Sequence, residues 1–408
     1  MMRSMFSGVS GLRSHQTMMD VVGNNIANVN TAGFKSSQVT FAEAISQVVR
    51  GASGPTDDRG GINPAGIGLG VRVSSIDGVF TQGASQVTGR NTDLAIQGDG
   101  FFILDTGGER VYTRAGSFVF DAAGSLTGGG GALVQGWVAD QFGVIDSNRP
   151  IGSIRIPLGQ VVDPVATTQV ELGGSLSADT AIAGTAVSSI AVFDSLGNEH
   201  EAQFSFTKVG ANDWTLGVAM NGTPVTVTPA TVQFDSAGQL TSASPLVVSG
   251  FTPPGADPLG FDLVLDGDLA IVQFGGTSTM EALNKDGSAI GHLTGYSVGD
   301  DGAIAGQFSN GQSKLLGQVA TATFSNPAGL ERGGASNFTS TVDSGEPLVG
   351  TAGSGNRGLM SAGTLEMSNV DLAREFTNLI IAQRGFQANS RVITTSDEML
   401  ADLVNLKR

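Results

Sequence analysis

Residues 2–26 read MRSMFSGVSGLRSHQTMMDVVGNNI, and the arrangement of their apolar side chains predicts a long terminal helix. Alternating steps of three and four residues join Met2, Met5, Val9, Leu12, Gln16, Met19, Gly23 and Ile26. This spacing is that of the a and d positions of a heptad repeat, which form one side of a helix. The next residues are rich in asparagine and glycine, NNIANVNTAG at 24–33, so the helix is predicted to end within them.

The same spacing returns at the other end of the chain and lasts longer there. It joins Leu372, Phe376, Leu379, Gln383, Phe386, Ser390, Ile393, Asp397, Leu400 and Val404. No proline interrupts residues 368–406, so a single helix of roughly 55 to 60 Å is expected. Ser368, with Asp371 three residues later, is the predicted N-cap.

We call twelve apolar members of the two repeats the predicted seam, since they are expected to hold the two helices together in an assembly. They are Met5, Val9, Leu12, Met19, Ile26, Leu372, Phe376, Leu379, Phe386, Ile393, Leu400 and Val404.

Between the helices the helical period disappears, and short β-branched runs alternate with turn dipeptides such as Asp99-Gly100 and Asn221-Gly222. Such runs separated by Asn-Gly and Asp-Gly predict β-hairpins. Residues 93–97, 101–104, 189–193 and 201–206 are examples of predicted strands. The predicted fold class is therefore mainly β with long α-helical termini, in which the terminal helices form a coiled-coil-like layer and two β domains are inserted between them.

These patterns divide the chain into four predicted parts. The terminal helical domain comprises residues 1–30 and 365–408. Connecting arms rich in Gly, Ser, Thr and Asn comprise residues 31–70 and 338–364. An inner β domain comprises residues 71–150 and 282–337, and an outer β domain comprises residues 151–281. The segment 53–70 within the first arm is the best candidate for a contact between subunits, although a simple surface loop is an equal alternative.

Heptad repeats at both ends of one chain indicate that the chain leaves a helical layer and later returns to it. Amphipathic terminal helices can instead pack on their own domain, and the pattern alone does not exclude this. Three glycines weaken the first helix, each by about 1 kcal/mol relative to alanine. The pair alone would therefore be marginal, and we expect helices that are disordered in the monomer and ordered in a polymer.

Composition excludes several other functions. The formal net charge of −16 would repel a nucleic-acid backbone, and the chain contains no cysteine for a disulfide, a thiol nucleophile or a thiolate metal site. The N-terminus has too little continuous apolar length for a cleaved signal peptide or a membrane span. The sequence thus predicts a protein with no membrane span and no nucleic-acid partner, which is exported, if it is extracellular, without a cleaved signal.

No motif predicts a catalytic, cofactor-binding or metal-binding residue. His15, His200 and His292 are scattered without a second ligand at metal spacing. Loops such as Asp286-Gly287 lack the alternating oxygen pattern of a calcium site. The glycines at 66–70 lack the strand-to-helix context of a dinucleotide loop. The chain is therefore predicted not to be an enzyme and to need no cofactor.

The terminal sequences resemble one known family. NNIANVNTAGFK at 24–35, preceded by SGVSGL at 7–12, resembles the signature shared by the rod and hook subunits of the bacterial flagellum. QGDGFF at 97–102, YTRAGSF at 112–118 and QRGFQANSRVI at 383–393 extend the resemblance in the same order along the chain. The motif residues of the first signature are Asn24, Asn25, Asn28, Asn30, Gly33 and Phe34.

Within this family the resemblance favours a hook subunit, and a distal rod subunit of the basal body is the alternative. Rod proteins of the family typically lack the outer domain, whereas AVFDSLGN at 191–198 resembles the outer-domain sequence of hook proteins. The resemblance implies a helical homopolymer that forms a flexible tube, a universal joint that transmits motor torque to the filament.

The implied location is the extracellular part of the flagellum, reached through the flagellar type III export apparatus. The implied partners are further copies of the chain, a hook cap protein, a distal rod protein, a hook–filament junction protein and a hook-length control protein.

Overall fold

The computed structural model describes residues 2–55, 59–140, 142–156, 159, 161–267 and 270–405, and it describes side chains as far as residue 402. Helix α1 spans Met2–Ala27 and helix α2 spans Leu372–Asn405, so both predicted terminal helices are present. Short 3-10 turns occupy Gly129–Gly131 and Pro327–Gly329. Strands make up 43% of the chain, which confirms the predicted fold class of a mainly β protein with helical ends.

The strands before residue 158 are short. They are β1 (Ser37–Glu43), β2 (Ser46–Arg50), β3 (Ala65–Gly68), β4 (Val71–Gly78), β5 (Ser85–Val87), β6 (Leu94–Gln97), β7 (Phe101–Asp105), β8 (Arg110–Thr113), β9 (Val119–Phe120), β10 (Leu126–Thr127), β11 (Leu133–Val138) and β12 (Gly152–Ser153).

The next strands include the longest hairpins of the chain. They are β13 (Val161–Val162), β14 (Gln169–Gly173), β15 (Ser175–Ser177), β16 (Thr185–Phe193), β17 (Glu199–Lys208), β18 (Asp213–Met220), β19 (Thr223–Thr228), β20 (Thr231–Gln233), β21 (Leu246–Phe251), β22 (Leu259–Val264), β23 (Val272–Phe274) and β24 (Glu281–Lys285).

The remaining strands lead back to α2. They are β25 (Gly291–Val298), β26 (Ala303–Phe308), β27 (Ser313–Thr323), β28 (Glu331–Arg332), β29 (Asn337–Thr339), β30 (Leu348–Thr351), β31 (Leu359–Ala362) and β32 (Thr364–Glu366). The four strands predicted as examples correspond to β6, β7, β16 and β17, and only Asp93 of the first lies outside its strand.

The chain divides into two compact units. The first unit comprises Met1–Pro157, Ser297–Ala305 and Leu315–Arg408, and the second comprises Leu158–Tyr296 and Gly306–Lys314. The first unit therefore contains both terminal helices, which lie at opposite ends of the sequence.

In the first unit the outgoing and returning halves of the chain pair directly. Strand β7 pairs antiparallel with β8, β11 and β27, and aromatic side chains pack on one face of this sheet. The rings of Tyr112 and Phe324 meet edge to face with centroids 4.8 Å apart. Nearer the helices, β31 pairs with β6 and β32 pairs with β5, both antiparallel. These pairs fix where the chain leaves the helices and where it returns.

The second unit is built on a β-meander, in which β16, β17, β18 and β19 pair antiparallel in chain order. Buried and exposed residues alternate along β17 and β18, so one face of the sheet covers an apolar core. Trp214 is fully buried there, and its indole N–H donates to Gln273 Oε1 at 2.9 Å. The predicted Asn221-Gly222 turn joins β18 to β19, and both residues have positive φ, as such a turn requires.

The start of α2 differs from the prediction. The helix begins after Asp371, whose Oδ1 accepts hydrogen bonds from the amides of Ala373 at 2.9 Å and Arg374 at 3.3 Å. Asp371 is therefore the N-cap, and the predicted cap, Ser368, lies one turn too early. An aspartate carboxylate caps a helix as well as a serine hydroxyl does, so residue type alone does not favour Ser368 over Asp371.

Candidate assembly surfaces

Helices α1 and α2 pack against each other as an antiparallel pair. Ser4 Oγ lies 3.4 Å from Ser396 Oγ, Gly8 faces Ile393, and Gly11 faces Asn389. As the residue number rises along α1, the number of its partner on α2 falls. The two ends of the chain are thus held side by side within one subunit.

Small residues form the contact line between these helices. A Cβ added to Gly11 would lie 2.7 Å from Asn389 Nδ2, and one added to Gly385 would lie within 3 Å of the His15 ring. Gly8 is also tight, since its Cβ would lie 3.3 Å from Ile393 Cγ1. The glycines that weaken α1 as an isolated helix therefore allow the two backbones to approach closely.

The predicted seam is out of phase with this contact line. Half-buried side chains are Met5, Leu12, Met19, Ile26, Leu379, Phe386, Ile393 and Leu400. Val9, Leu372 and Phe376 are exposed, and the side chain of Val404 lies outside the described residues. Of the seam residues, Ile393 contacts α1 at Gly8. The buried positions on the helices are instead small residues outside the seam, and they include Gly8, Gly11, Ser14, Ala382 and Ser396.

Large apolar side chains consequently remain on the outer surface of the helix pair. Met2 and Phe6 on α1 are 69% and 66% exposed, and Phe376 and Ile380 on α2 are 50% and 58% exposed. Ile381 and Met399 are similarly exposed. Exposed large apolar side chains at both ends of the pair are available for contact with another molecule.

The asparagine motif builds the exit from α1. The fully buried side chain of Asn25 donates from Nδ2 to Ser37 O at 2.8 Å, and its Oδ1 accepts from Ser37 N at 3.0 Å. Asn28 Nδ2 donates to Asn24 O at 3.0 Å, and its Oδ1 accepts from the Thr31 hydroxyl at 3.1 Å. Asn25 therefore ties the helix to β1, and Asn28 shapes the turn that follows.

The other motif residues have different roles. Asn30 lies at the surface, whereas Gly33 is buried with φ +68° and donates its amide to Glu366 O at 2.7 Å. A Cβ on Gly33 would lie 2.6 Å from Ala115 Cα. Phe34 is 7% exposed beneath the guanidinium of Arg332, whose Cζ lies 5.1 Å from the ring centroid. A glycine is thus required at position 33, where the chain passes the Ala115 backbone.

A buried charge cluster, which sequence reasoning missed, lies beside Gly33. Lys35 Nζ lies 2.6 Å from Glu366 Oε1 and donates to Thr81 O at 2.8 Å. Arg114 Nη1 lies 3.3 Å from Glu366 Oε2, and Gly83 N donates to Glu366 Oε1. The side chains of Lys35, Arg114 and Glu366, which we call the charge triad, are at most 4% exposed.

The triad joins three segments that are far apart in sequence. It holds two cations and one carboxylate, so the buried cluster carries an excess positive charge. Burial lowers the pKa of Lys35 and the pKa of Arg114 from their ordinary values, against the attraction of Glu366. Asn369 adds a second tie across the same junction, since its Oδ1 accepts from Ser36 N at 2.8 Å and its Nδ2 donates to Val79 O at 2.7 Å.

The three histidines lie in separate places. His15 packs edge to face on Phe41 with ring centroids 5.9 Å apart, and His200 pairs with Asp194 at 3.0 Å. His292 lies on β25. Over the described ranges, no three His, Cys, Asp or Glu side chains are grouped so that they could bind a metal ion. No helix in the described part of the chain has the length and apolar character to cross a membrane.

Four known families match successive parts of the chain. Residues 5–35 match "Flagella basal body rod protein", residues 95–178 match "Flagellar hook protein FlgE/F/G D1 domain", residues 166–288 match "Flagellar basal body protein FlaE D2 domain", and residues 361–406 match "Flagellar basal body rod FlgEFG protein C-terminal".

Several relatives match the chain over their whole length. The flagellar hook proteins FlgE of Treponema pallidum and Borreliella burgdorferi are 39% and 40% identical, each over 100% of both chains. A Bacillus subtilis chain named flagellar basal-body rod protein FlgG is 31% identical, also over 100% of both chains. Length therefore does not by itself separate hook from rod proteins, whereas the higher identity favours hook proteins.

One solved structure shows a related fold. The crystal structure of the Helicobacter pylori flagellar hook protein FlgE2 matches with a TM-score of 0.54 at 14% identity, covering 69% of this chain and 100% of that chain.

Proposed function

The chain belongs to the flagellar hook protein family and is a structural subunit of the bacterial flagellar hook, and on this basis we propose that its paired terminal helices drive assembly of the hook tube. The exposed apolar side chains on the outer surface of the α1–α2 pair carry this proposal. A helical polymer would bury them between neighbouring copies. The predicted seam residues that are half-buried or exposed in the single subunit would take part in the same contacts between copies.

The four parts predicted from the sequence have distinct proposed roles. The helical layer around a channel is formed by residues 1–30 and 365–408. The connecting arms are residues 31–70 and 338–364. They join this layer to the inner β domain (71–150 and 282–337) and the outer β domain (151–281). In the first arm, β2 and β3 pair as a hairpin on which Val48, Val49 and Ile67 are at least 50% exposed. This exposure supports a contact of the arm with a neighbouring subunit.

Family membership supports the remaining proposals. The tube acts as a flexible joint that transmits torque to the filament, and it is non-enzymatic. Its subunits leave the cell through the flagellar export apparatus without a cleaved signal peptide. The proposed partners besides further copies are the hook cap, distal rod, hook–filament junction and hook-length control proteins.

Electron microscopy of a deletion strain tests the hook assignment. We expect basal bodies with a complete rod and no hook. A missing rod would assign the chain to the distal rod instead.

The helical contact is tested by Phe376→Ser combined with Ile380→Ser. Both side chains are about half exposed, so the monomer should keep its fold. Burying the exposed halves in a polymer should contribute about 2 to 3 kcal/mol together, which corresponds to a rise of about 30- to 150-fold in the critical concentration for polymerisation.

Val209→Ser is the matched control, because Val209 is 54% exposed in the second unit. It should polymerise like the natural chain in a sedimentation assay. Equal critical concentrations for the double variant and the control would contradict the proposal. Circular dichroism of the soluble double variant checks that the β structure is retained.

A further inference from the structure

One side of α2, which we call the outer stripe, carries charges that burial of apolar side chains does not explain. The stripe lies opposite α1, because Arg391 and Glu398 follow Asn389 and Ser396, which face α1, by two positions, and this turns them about 200° around the helix. Its members are exposed and are joined by steps of four or seven residues, which keep them on one side of the helix. They are Phe376, Ile380, Arg384, Arg391, Glu398 and Asp402.

Charge along α2 is separated by sign. Residues 376–391 contain two arginines and no carboxylate, whereas residues 392–406 contain three carboxylates and no basic residue. Over the described ranges, which exclude residues 407–408, the four charged side chains of the stripe form no ion pair. Glu398 and Asp402 are four positions apart, where like charges on one helix repel each other. The charges of the stripe therefore lack compensation within the described part of the subunit.

The charges of α1 do not cancel this separation. Arg13 and Asp20 are seven positions apart on the side of α1 that is turned away from α2. Arg3 precedes Ser4, which faces Ser396, so it is the cation of α1 nearest to the acidic end of the stripe. Arg3 pairs with no carboxylate among the described residues. With three carboxylates against this one cation, the acidic end keeps an excess negative charge.

A neighbouring copy that covers Phe376 and Ile380, as proposed above, would also cover charges on the same side of α2. Charges that are covered without partners are costly, so the neighbour must bring opposite charges. A repeated heterologous contact builds a helical polymer in which every copy has the same polarity, so neighbouring α2 helices run in the same direction. Without an axial shift, Arg384 would then meet Arg384 and Glu398 would meet Glu398. Repulsion between like charges thus disfavours an unshifted contact.

We propose that the outer stripes of neighbouring copies pack parallel with an axial shift, so that the arginines of one copy pair with the carboxylates of the next. Glu398 follows Arg384 by 14 positions, and Asp402 follows Arg391 by 11. At 1.5 Å per residue, these separations correspond to a shift of about 17 to 21 Å. The proposal rests on the helical assembly proposed above and adds its register, since the apolar side chains supply affinity and the charges select one alignment.

Charge reversal tests this pairing. Variant A carries Arg384→Glu and Arg391→Glu, so the charges of its stripe are all negative. Variant B carries Glu398→Arg and Asp402→Arg, so the charges of its stripe are all positive. Each variant alone should show a critical concentration for polymerisation raised by about tenfold or more at low salt. An equimolar mixture should polymerise nearly as well as the natural chain, because neighbouring stripes then attract.

Salt and a matched control support the interpretation of these variants. The effect of each reversal should shrink at about 1 M salt, where the screening length falls to about 3 Å. Glu199→Arg combined with Glu201→Arg is the control for variant B, because it changes the net charge equally on exposed residues of the second unit. This control should polymerise like the natural chain.

Two outcomes of charge reversal would overturn the proposal. One is polymerisation of variants A and B at the concentration that the natural chain needs. The other is a mixture of A and B that polymerises no better than either variant alone, because the charges would then act within a subunit. Circular dichroism of the soluble variants checks that their helix content is retained.

Cross-linking measures the shift. The chain contains no cysteine, and Gln387 and Ala401 are exposed neutral residues 14 positions apart on α2. A co-polymer of Gln387→Cys and Ala401→Cys subunits should give a dimer with a short thiol cross-linker, whereas a polymer of Gln387→Cys alone should give none. A dimer from Gln387→Cys alone would show an unshifted contact and would contradict the proposal, as would a co-polymer that gives no dimer. Failure of the natural chain to polymerise would instead contradict the helical assembly itself.

Discussion

Replacing Glu366 by glutamine should show how much the charges of the triad contribute to the free energy of unfolding. Glu366 is the only carboxylate of this cluster, and its two oxygens bind Lys35 at 2.6 Å and Arg114 at 3.3 Å. Glutamine has nearly the same shape, so packing changes little. Two buried cations would then face each other, with only the exposed Asp99 carboxylate still attracting Arg114.

The expected loss follows from the burial of the three side chains. Removing one partner from a buried ion pair costs about 3 to 5 kcal/mol, because the remaining charge is left uncompensated. Lys35→Met is the matched comparison, since it leaves a neutral pair between Arg114 and Glu366. It removes only the hydrogen bonds of Nζ to Glu366 and to Thr81 O, and the latter also accepts from Asn369 Nδ2. We expect Lys35→Met to cost about 1 to 3 kcal/mol.

Urea unfolding followed by helical circular dichroism measures both variants. The second unit lacks the triad, so the fluorescence of its buried Trp214 serves as an internal reference once Trp137, the other tryptophan, which lies in the first unit, is replaced by Phe in all variants. A smaller loss in the free energy of unfolding for Glu366→Gln than for Lys35→Met would refute the claim that Glu366 compensates two buried cations.

The pH dependence gives an independent check on Lys35. Burial lowers its pKa below the ordinary 10.5, so the unfolded chain binds more protons between the lowered pKa and 10.5. This contribution to stability therefore rises with pH in that window. The rise should be absent in Lys35→Met.

Two further predictions concern other parts of the fold. Gly33→Ala should destabilise the first unit by more than about 2 kcal/mol, because the added Cβ would meet the Ala115 backbone and the φ of residue 33 is positive. Gly23→Ala, with nothing near its Cβ, should instead stabilise α1 by about 0.5 to 1 kcal/mol. Thermal unfolding of the two variants measures both changes. In the second unit, burial alone would raise the pKa of Asp194, but hydrogen bonds from His200, Asn198 and Leu196 lower it to about 2. The Asp194 carboxylate contributes fully to stability above about pH 4, and this contribution is lost as the pH falls towards 2. Acid unfolding of the second unit, followed by Trp214 fluorescence in a Trp137→Phe background, should therefore depend less on pH in Asp194→Asn.

The sequence predicted those parts of the fold that depend on local pattern. Both terminal helices and the example strands follow from periodicity and turn residues, and the predicted ends of α1 agree with the structure. The start of α2 was missed because Ser368 and Asp371 are both good caps. The charge triad could not be predicted, because 331 positions separate Lys35 from Glu366 and nothing local distinguishes a buried lysine from an exposed one.

The contact line between the helices shows that a heptad period alone does not tell which residues lie between two helices of one chain. A search for an apolar repeat in the sequence picks out large side chains such as Phe376 and Leu379. Helices that approach closely instead need small residues at their contact, and Gly8, Gly11 and Gly385 are the residues found there. The large apolar residues are then displaced to the flanks of the pair. An isolated protein gains nothing from that arrangement, because exposed apolar surface favours aggregation. It is favourable where identical copies cover the flanks, so the small residues join the two ends of one chain and the large residues are left to join one chain to the next.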